Sequence, residues 1–205
     1  MMDSADFDTR FRTRLQALST TNLSDAMDSV GIAGAVIGVR PMFHSPRVVG
    51  RAVTIKITAA GVKKSETHLG VEAIAASQPG DVIVISNHGD VKNNCWGEVL
   101  SCAAKVKGVG GVVVDGAARD IDACEEMGFP VFARAAVPIT ARGRIMQEAY
   151  NVTVRMGDVQ VSPGDVVVRA ESLMEKEEQM KADLLAGMDV LEVDRKYNYE
   201  NMLKK

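Results

Sequence analysis

The sequence predicts an α/β fold in which a largely parallel sheet is covered by helices. Short β-branched runs at 81–86, 112–115 and 130–133 alternate with segments whose apolar residues recur at helical spacing. The connections are short, and parallel strands joined through helices require crossovers of one hand. Later β-branched runs are separated by Gly-Asp and Pro-Gly turns, which favour antiparallel pairing. These observations predict either one mixed sheet or two sheets.

Two helices are predicted ahead of the first strand. Segment 7–18 places its apolar residues four, four and three positions apart, which is one face of a helix. The second helix begins near 21–24 and ends at Gly31, because glycine commonly terminates helices. The apolar face of this second helix is formed by Leu23, Ala26, Met27 and Val30.

The remaining elements follow in order along the chain. The alternating run 48–58 predicts a strand with one solvent-facing side. It is followed by a helix over 66–77, a strand over 81–86, a helix over 96–107, a strand over 112–115, a helix over 121–127 and a strand over 130–133. Three antiparallel strands joined by hairpins are then expected at 152–154, 159–161 and 165–168.

A C-terminal helical arm is expected over 171–205. It contains a charged amphipathic helix over 171–188, with Tyr197 and Tyr199 as possible anchors beyond it. Such an arm is unstable alone, so it is expected to pack on its own subunit or on a neighbour.

Length and charge limit the classes of protein that need to be considered. A chain of 205 residues predicts a single domain over 1–205 with a core over about 20–168. The balance of 24 Lys and Arg against 27 Asp and Glu argues against a nucleic-acid surface, which needs clustered positive charge. No apolar run is long enough to span a membrane, and the first residues are acidic. We therefore expect a soluble cytoplasmic protein that binds neither membrane nor nucleic acid.

The cysteines and histidines indicate no disulfide and no zinc site. The three cysteines, Cys95, Cys102 and Cys124, contain no C-x-x-C pair. Cys95 and Cys102 are expected on one helical face with Val99 and Val106, buried in the core. His88 is expected at the surface, although its position after a strand leaves contact with a ligand open.

The loop expected after the 81–86 strand is the first candidate site, because ligands of parallel sheets bind outside the carboxyl ends of the strands. It runs over 87–98 and leads into a helix. Gly97 lets a ligand approach the backbone, and the first amides of the helix are free to bind an anion. These amides belong to Gly97, Glu98, Val99 and Leu100. A carboxylate is the predicted ligand.

The second candidate site follows the 112–115 strand, where small residues lead to Arg119 and Asp120. Glu98 and Asp120 offer carboxylates from neighbouring strand ends, which are ligands suited to Mg²⁺ or Mn²⁺. Arg119 is suited to hold a carboxylate or a developing enolate. A purely structural interpretation has Asp120 capping the next helix, Arg119 ion-paired, and Glu98 complementing a helix dipole. The spacing alone leaves both interpretations open.

At Gly97-Glu98, followed after twenty residues by Arg119-Asp120, the chain resembles a known family. This family contains the regulator of ribonuclease E activity A and the 4-hydroxy-4-methyl-2-oxoglutarate aldolases, and its motif is an acidic residue, twenty positions and Arg-Asp. The surrounding segments are also similar over about 20–168. They are Leu23-Ser24-Asp25-Ala26-Met27, Gly50-Arg51-Ala52-Val53-Thr54, Pro79-Gly80-Asp81-Val82, Gly111-Val112-Val113-Val114-Asp115-Gly116, Phe129-Pro130-Val131-Phe132-Ala133 and Pro163-Gly164-Asp165.

The resemblance implies a swivelling β/β/α domain assembled as a homotrimer, or as a hexamer of two trimers, with sites between subunits. It implies a class II, metal-dependent lyase that cleaves 4-hydroxy-4-methyl-2-oxoglutarate to pyruvate and decarboxylates oxaloacetate, with Mg²⁺ or Mn²⁺ as cofactor. Asp120 would bind the metal directly and Glu98 through water. Arg119 would hold the substrate, and the amides of 97–100 would bind its carboxylate.

The chain departs from the family pattern after Val168. Family members usually continue into an Asp-rich turn and a further strand, whereas here Arg169-Ala170-Glu171 follows directly. The last helix helps to build the neighbouring subunit's site in the aldolases, and the candidates for a general acid or base from it are Glu175, Glu177 and Glu178. The resemblance also implies an alternative function, a non-catalytic protein that binds and inhibits an RNA-degrading enzyme. A third function attached to relatives, quinone-precursor methylation, lacks a glycine-rich cofactor loop here.

Overall fold

A computed structural model of the chain describes residues 7–62, 67–169, 180 and 182–197. After a π-helical segment at Asp8–Arg12, its helices are α1 (Thr13–Gln16), α2 (Thr20–Ser29), α3 (Val71–Ala76), α4 (Glu98–Lys107), α5 (Ile121–Met127) and α6 (Val190–Tyr197). Its strands are β1 (Arg40–Pro41), β2 (Val48–Ala59), β3 (Val82–Trp96), β4 (Gly111–Ala118), β5 (Val131–Ala136), β6 (Ile145–Tyr150), β7 (Val154–Met156), β8 (Val159–Val161) and β9 (Val166–Arg169).

The main sheet has the strand order β1-β5-β4-β3-β2-β6, and β9 pairs with the first half of β2. Its centre is parallel, with Ile55 of β2 opposite Ile85 of β3, and Ile85 opposite Val114 of β4. β1, β6 and β9 are antiparallel to their neighbours. β7 and β8 form a separate antiparallel pair. The predicted α/β fold with a mixed sheet is therefore confirmed, and a second, two-stranded sheet accompanies it.

The two faces of the main sheet carry different layers. On one face, Ile55, Ile85 and Val114 join one apolar cluster with side chains of the helices, among them Leu100. On the other face, strand residues join a smaller cluster with the β7–β8 hairpin, formed by Val48, Ala52, Val82, Val84, Phe132, Val154 and Met156. Hairpin, sheet and helices thus form the β/β/α layering that the resemblance implies.

Several local predictions need correction. The helix expected over 66–77 forms only as α3, which begins after Gly70, a residue in the left-handed region (φ 86°). β2 is buried on both sides through most of its length, so its expected solvent-facing side does not exist. The apolar face of α2 is not buried in this chain, and Val30 at its end is 69% exposed.

The strands after residue 137 also differ from the prediction. β7 and β8 form the expected hairpin, but β9 leaves it and pairs with β2, with Val168 opposite Val49. β6 was not predicted, although it covers the second half of β2. β1 was not predicted either, and with two residues it is too short to leave a local pattern.

The segment expected as a loop over 87–98 is mostly part of β3, which continues to Trp96. Ser86 pairs with Asp115, and Trp96 pairs with Ala118. Between these two pairs the chain moves ten residues along β3 but only three along β4, so β3 contains extra residues. Part of the excess lies at a tight turn through His88 (φ 54°) and Gly89 (φ 73°), and the rest lies in two further register shifts between Asp90 and Trp96. The helix expected from residue 96 therefore begins at Glu98.

The C-terminal arm is described at 180 and 182–197, where 182–185 are helical and α6 follows. Lys196 Nζ and Tyr197 Oη donate to Asp183 Oδ2 at 2.6 and 2.7 Å, so Tyr197 does act as an anchor. Val193 is 2% exposed and is therefore covered by the same chain. Tyr199 and the candidates Glu175, Glu177 and Glu178 lie outside the described residues. Among the described residues, every helix is too short or too polar to cross a bilayer.

Candidate functional site

The ends of β3 and β4 bring the two sequence-predicted sites together. Trp96 and Ala118 are paired at the last position of the two strands, and the Arg119 amide donates to Trp96 O at 2.9 Å. Glu98 and Asp120 follow at once, each next to the start of a helix. The motif residues, separated by twenty positions in the sequence, therefore share one site at the carboxyl edge of the sheet.

Asp120 has a backbone conformation that side chains rarely adopt. Its φ of 53° and ψ of 41° lie in the left-handed region, which costs a non-glycine residue on the order of 1–3 kcal/mol. Aspartate tolerates this region better than most residues, because its short polar side chain bonds locally. The Asp120 side chain does not cap α5, so the capping interpretation is wrong. Oδ2 instead accepts the Glu98 amide at 3.3 Å.

Arg119 and Asp120 form an ion pair in which the Arg119 Nε–H donates no hydrogen bond. Arg119 Nε lies 3.2 Å from Asp120 Oδ2, and both side chains are 38% exposed. The alignment is too poor for a hydrogen bond, so Nε is buried without an acceptor in the described part of the chain. A buried donor without an acceptor is costly, and at a ligand site it marks where a ligand or water would bind.

Gly97 allows Arg119 and Asp120 to approach the start of α4. A Cβ at position 97 would lie 2.7 Å from Asp120 Oδ2 and 3.2 Å from Arg119 Cγ. The backbone at Gly97 is extended (φ −161°), which every residue type can adopt. Glycine is therefore needed here for space and not for its backbone conformation.

The first turn of α4 retains free amides beside these charges. Ser101 donates to Gly97 O at 3.0 Å, so the Val99 and Leu100 amides precede the first bond of the helix and lack acceptors within it. The Glu98 amide is already bound to Asp120, which leaves fewer donors than the predicted set of four. The Glu98 carboxylate is exposed and makes no hydrogen bond to the described residues.

The donor set fits a divalent cation that keeps much of its water. Within the described ranges, no group of three His, Cys, Asp or Glu side chains lies close enough to enclose a metal ion. Asp120 Oδ1 has no hydrogen-bond partner there and remains available as one direct ligand. Mg²⁺ is commonly held by one or two carboxylates with several waters and oxygens of the substrate. Asp120 with the nearby Glu98 carboxylate meets that requirement.

A buried chain of polar contacts links β3, α4 and α5 beside the site. Trp96 Nε1 donates to Ser101 Oγ at 2.8 Å, and Ser101 Oγ lies 3.3 Å from Cys124 Sγ. Burial raises the pKa of the Cys124 thiol, and the negative charges of Asp120 and Glu98 raise it further. Cys124 is therefore a neutral packing residue and not a nucleophile.

The prediction for the other cysteines is half correct. Cys95 is buried, but it lies on β3 and not on a helix with Cys102. Cys102 is exposed together with Val99 (80%) and Val106 (85%), so this stripe of α4 faces away from the core. The inward face of α4 is formed by Leu100, Ser101 and Ala104.

Alkylation should distinguish these thiols. Burial, with the nearby Asp90 charge, raises the Cys95 pKa to about 12, so the thiol remains protonated at pH 8. In the native protein at pH 8, we expect iodoacetamide to leave Cys95 and Cys124 unmodified, as peptide mass spectrometry would show. After unfolding in guanidinium chloride, both should react as fast as Cys102. Rapid native labelling of Cys95 would contradict its burial.

Sequence reasoning missed a second polar cluster on the sheet. Asp115 is 2% exposed and pairs with Arg134 of the neighbouring strand β5. The available signal was a charged residue at the end of the apolar run Val112-Val113-Val114, where a buried strand needs a partner for it.

Comparison with known proteins shows consistent similarity. A family model described as RraA-like, Aldolase/RraA, matches residues 20–172. A Halalkalibacterium halodurans protein that carries the provisional name 4-hydroxy-4-methyl-2-oxoglutarate aldolase is 34% identical over 191 residues, which cover 87% of this chain and 85% of that protein. The crystal structure of an uncharacterized Pseudomonas syringae protein is similar with a TM-score of 0.71 at 26% identity, covering 88% of this chain and 94% of that one. Streptomyces coelicolor RraAS2, described as an unusual member of the RNase ES inhibitor RraA protein family, shares the fold with a TM-score of 0.70 at 24% identity, covering 93% and 96%.

Proposed function

This chain belongs to the RraA-like family, and from that membership we propose that it is a divalent-metal-dependent lyase that cleaves short 2-keto acids to pyruvate. The proposed reactions are retro-aldol cleavage of 4-hydroxy-4-methyl-2-oxoglutarate and decarboxylation of oxaloacetate. The name of the Halalkalibacterium halodurans relative supports the first of these.

One observation carries the proposal. Asp120 is held in an unfavourable backbone conformation, away from the cap of its own helix and against the Glu98 amide. Strain of this kind persists where the surrounding structure enforces it, and it concentrates at functional sites. A structural cap would not need this arrangement. In the proposed site, this arrangement places the carboxylate beside the start of α4 and next to Arg119, where a cation would be held.

The proposed reactions share one chemical step. In 4-hydroxy-4-methyl-2-oxoglutarate, loss of the 4-hydroxyl proton lets the C3–C4 bond break into pyruvate and the enolate of a second pyruvate. In oxaloacetate, the C3–C4 bond breaks to release CO₂ and leaves the same enolate. Protonation at C3 then gives pyruvate. A bound Mg²⁺ or Mn²⁺ supplies Lewis-acid polarisation of the 2-keto group.

The residues of the site bind the substrate and stabilise its charge, while water accepts the 4-hydroxyl proton and donates the proton to C3. The Val99 and Leu100 amides, reinforced by the dipole of α4, bind the substrate carboxylate. Arg119 orients the substrate and stabilises negative charge on the enolate. Asp120 would hold the metal directly and Glu98 would hold it through water. A lysine that forms a Schiff base is not required.

The activity test is pyruvate release from 4-hydroxy-4-methyl-2-oxoglutarate and from oxaloacetate, measured with Mg²⁺, with Mn²⁺ and with EDTA. We expect turnover of at least one substrate with either metal and a return to the buffer rate with EDTA. Oxaloacetate decarboxylates with free metal alone, so the control is the same metal without protein. No protein-dependent release from either substrate would contradict the lyase proposal.

Arg119→Lys should strongly reduce turnover even though the charge remains. The planar guanidinium offers two parallel donors to a carboxylate, whereas an ammonium group acts as a point charge. We expect kcat/KM to fall about 100-fold or more, as for the loss of one oxyanion donor. Steady-state kinetics would show this loss, and near-normal turnover would remove Arg119 from the mechanism. Arg142→Lys, at an exposed arginine, is the matched control.

We also propose that the chain assembles as a homotrimer or as a hexamer. Exposed apolar residues on two helices support this assembly, among them Val30 on the α2 side and Val99 and Val106 on α4. Contiguous exposed apolar surface marks contacts between proteins, and Val99 and Val106 lie two turns apart on one stripe of α4. Light scattering should give three or six times the mass of one chain, and a monomer at micromolar concentration would contradict the assembly.

The second candidate function is a non-catalytic protein that binds and inhibits an RNA-degrading enzyme. It is supported by the inhibitor family named for Streptomyces coelicolor RraAS2, which shares the fold. A correctly assembled oligomer without turnover on either substrate would favour this function.

A further inference from the structure

A separate cavity of about 280 Å³ lies between the sheet and the β7–β8 hairpin. Its walls come from the turn at His88, from Asp115 and Arg134 on the sheet, and from the hairpin turn over 155–158. Asp115 faces the hairpin, because its Oδ2 accepts the Gly157 amide at 3.0 Å. The helices and Asp120 are on the opposite side of the sheet. The proposed lyase site does not use these residues.

Arg134 is held rigidly in this cavity. Its Nε donates to Asp115 Oδ1, and Asp115 is almost fully buried. A Cβ at Gly38 would collide with Arg134 Nη1, and one at Gly157 would lie 3.2 Å from Nη2. The guanidinium therefore lies between two glycines and is held by a buried carboxylate, which reduces the side-chain entropy that binding would cost.

The outer edge of the Arg134 guanidinium has no acceptor. Nη1 and Nη2 make no hydrogen bond to the described residues, and neither is among the buried atoms without partners. Both nitrogens therefore retain some exposure, and Arg134 is among the residues that line the cavity. Two parallel donors on one planar group match the two oxygens of an oxyanion.

A second arginine lies on the hairpin side of the cavity. Arg155 Nε donates to Gly157 O at 2.6 Å, which places its guanidinium over the turn. Its Nη2 also pairs with Asp158, but that carboxylate is 99% exposed and the pair contributes little. Arg155 can therefore exchange this partner for a ligand at low cost.

The charges of the cavity indicate what kind of anion it accepts. Arg134 is offset by Asp115, and Arg155 is offset by Asp158, so the fixed charges nearly balance. A dianion such as phosphate would place its second charge near these carboxylates. A monoanion can accept hydrogen bonds from the two arginines without placing a second negative charge near the two carboxylates.

We propose that this cavity is a second ligand site, which binds the carboxylate of a small organic acid between the Nη groups of Arg134 and the Arg155 guanidinium. The His88 ring lies at the edge of the same site. The proposal does not depend on the lyase function, because it involves none of the lyase residues.

Titration of the ¹⁵N-labelled full-length protein with sodium acetate tests this site by NMR. We expect the amide signals of Gly89 and Gly157 to shift with acetate concentration and to reach a plateau. This result does not depend on whether the signal of Gly97, in the proposed lyase site, also shifts. Arg134→Lys keeps the charge opposite Asp115 but loses the planar pair of Nη donors, so the apparent Kd should rise about tenfold. Arg142→Lys should leave the Kd unchanged.

Arg155→Gln provides an independent variant, since it leaves no buried charge unpaired. We expect it to weaken acetate binding about threefold, because its contact is more exposed. Inorganic phosphate should shift the same amides less than acetate does at equal concentration. The proposal is overturned if no shift saturates below about 100 mM acetate. It is equally overturned if Arg134→Lys binds acetate as wild type does, or if phosphate binds more tightly.

Discussion

Asp120→Asn is expected to abolish metal-dependent pyruvate release while the protein remains folded. Asparagine keeps the left-handed conformation and can still accept the Glu98 amide, so the local structure is preserved. It loses the negative charge that a divalent cation requires. Mutation of a residue that supports a metal ligand lowers metal affinity or activity by about 10–100-fold. Loss of the ligand itself should therefore reduce kcat/KM by about 100-fold or more.

The matched control is Asp122→Asn, which changes an exposed aspartate in the first turn of the same helix. We expect it to keep full activity. Both variants should unfold within about 1 kcal/mol of wild type in urea. Binding of Mn²⁺, followed by electron paramagnetic resonance, should be lost in Asp120→Asn alone. Normal Mn²⁺ binding by Asp120→Asn would show that Asp120 is not the metal ligand.

Gly97→Ala is the second change with a large expected effect. The added methyl group would lie 2.7 Å from Asp120 Oδ2 and close to the Arg119 side chain, so both must move. Displacement of a catalytic group by about 1 Å can cost about 100-fold in rate. Because alanine adopts the extended backbone of Gly97 without strain, we expect kcat/KM to fall about 100-fold with little change in stability.

Gly61→Ala is the matched control for this substitution. A Cβ at Gly61 meets nothing within 4 Å, and the residue is exposed. Steady-state kinetics and urea unfolding of the two variants separate an effect at the site from a general effect of alanine. Wild-type activity of Gly97→Ala would mean that Arg119 and Asp120 can move without loss, which would remove them from a precisely arranged site.

The parallel core was predictable because its signals are local. Strands β3, β4 and β5 are β-branched runs, and α5 ends at Gly128 in the left-handed conformation that glycine favours. The antiparallel strands were less predictable, because their partners are distant in the sequence. β6 and β9 each complete a different half of β2.

Local alternation also failed for β2, for a specific physical reason. Its polar side chains suggested a solvent-facing side, but distant residues provide them with partners. Thr54 Oγ1 donates to Val152 O, and Arg51 Nε lies 3.9 Å from Asp81 Oδ1. Lys56 donates to Glu148 of β6 at 2.7 Å, and both of these side chains remain partly exposed. Satisfied polar groups can be buried, and a sequence pattern does not show which of them will be.

The candidate site was predictable in composition but not in geometry. The motif brought Glu98, Arg119 and Asp120 to one edge of the sheet, since neighbouring parallel strands end there. The left-handed backbone of Asp120 and the steric role of Gly97 depend on the close approach of two chain segments. The sequence predicts the stripe of Val99 and Val106 to lie in the core, because α4 carries apolar residues on two faces. The packing of α4 in the folded chain shows that the other face is the inward one.

The most direct test of the lyase proposal is exchange of the methyl protons of pyruvate with D₂O, followed by proton NMR. Both proposed reactions pass through the pyruvate enolate, and an enzyme that protonates this enolate at C3 also forms it from pyruvate by the reverse step. We predict protein-dependent exchange with Mg²⁺, and exchange at the buffer rate with EDTA or with Asp120→Asn. Exchange no faster than in buffer, from a folded and metal-loaded oligomer, would contradict the proposed function whatever the physiological substrate is.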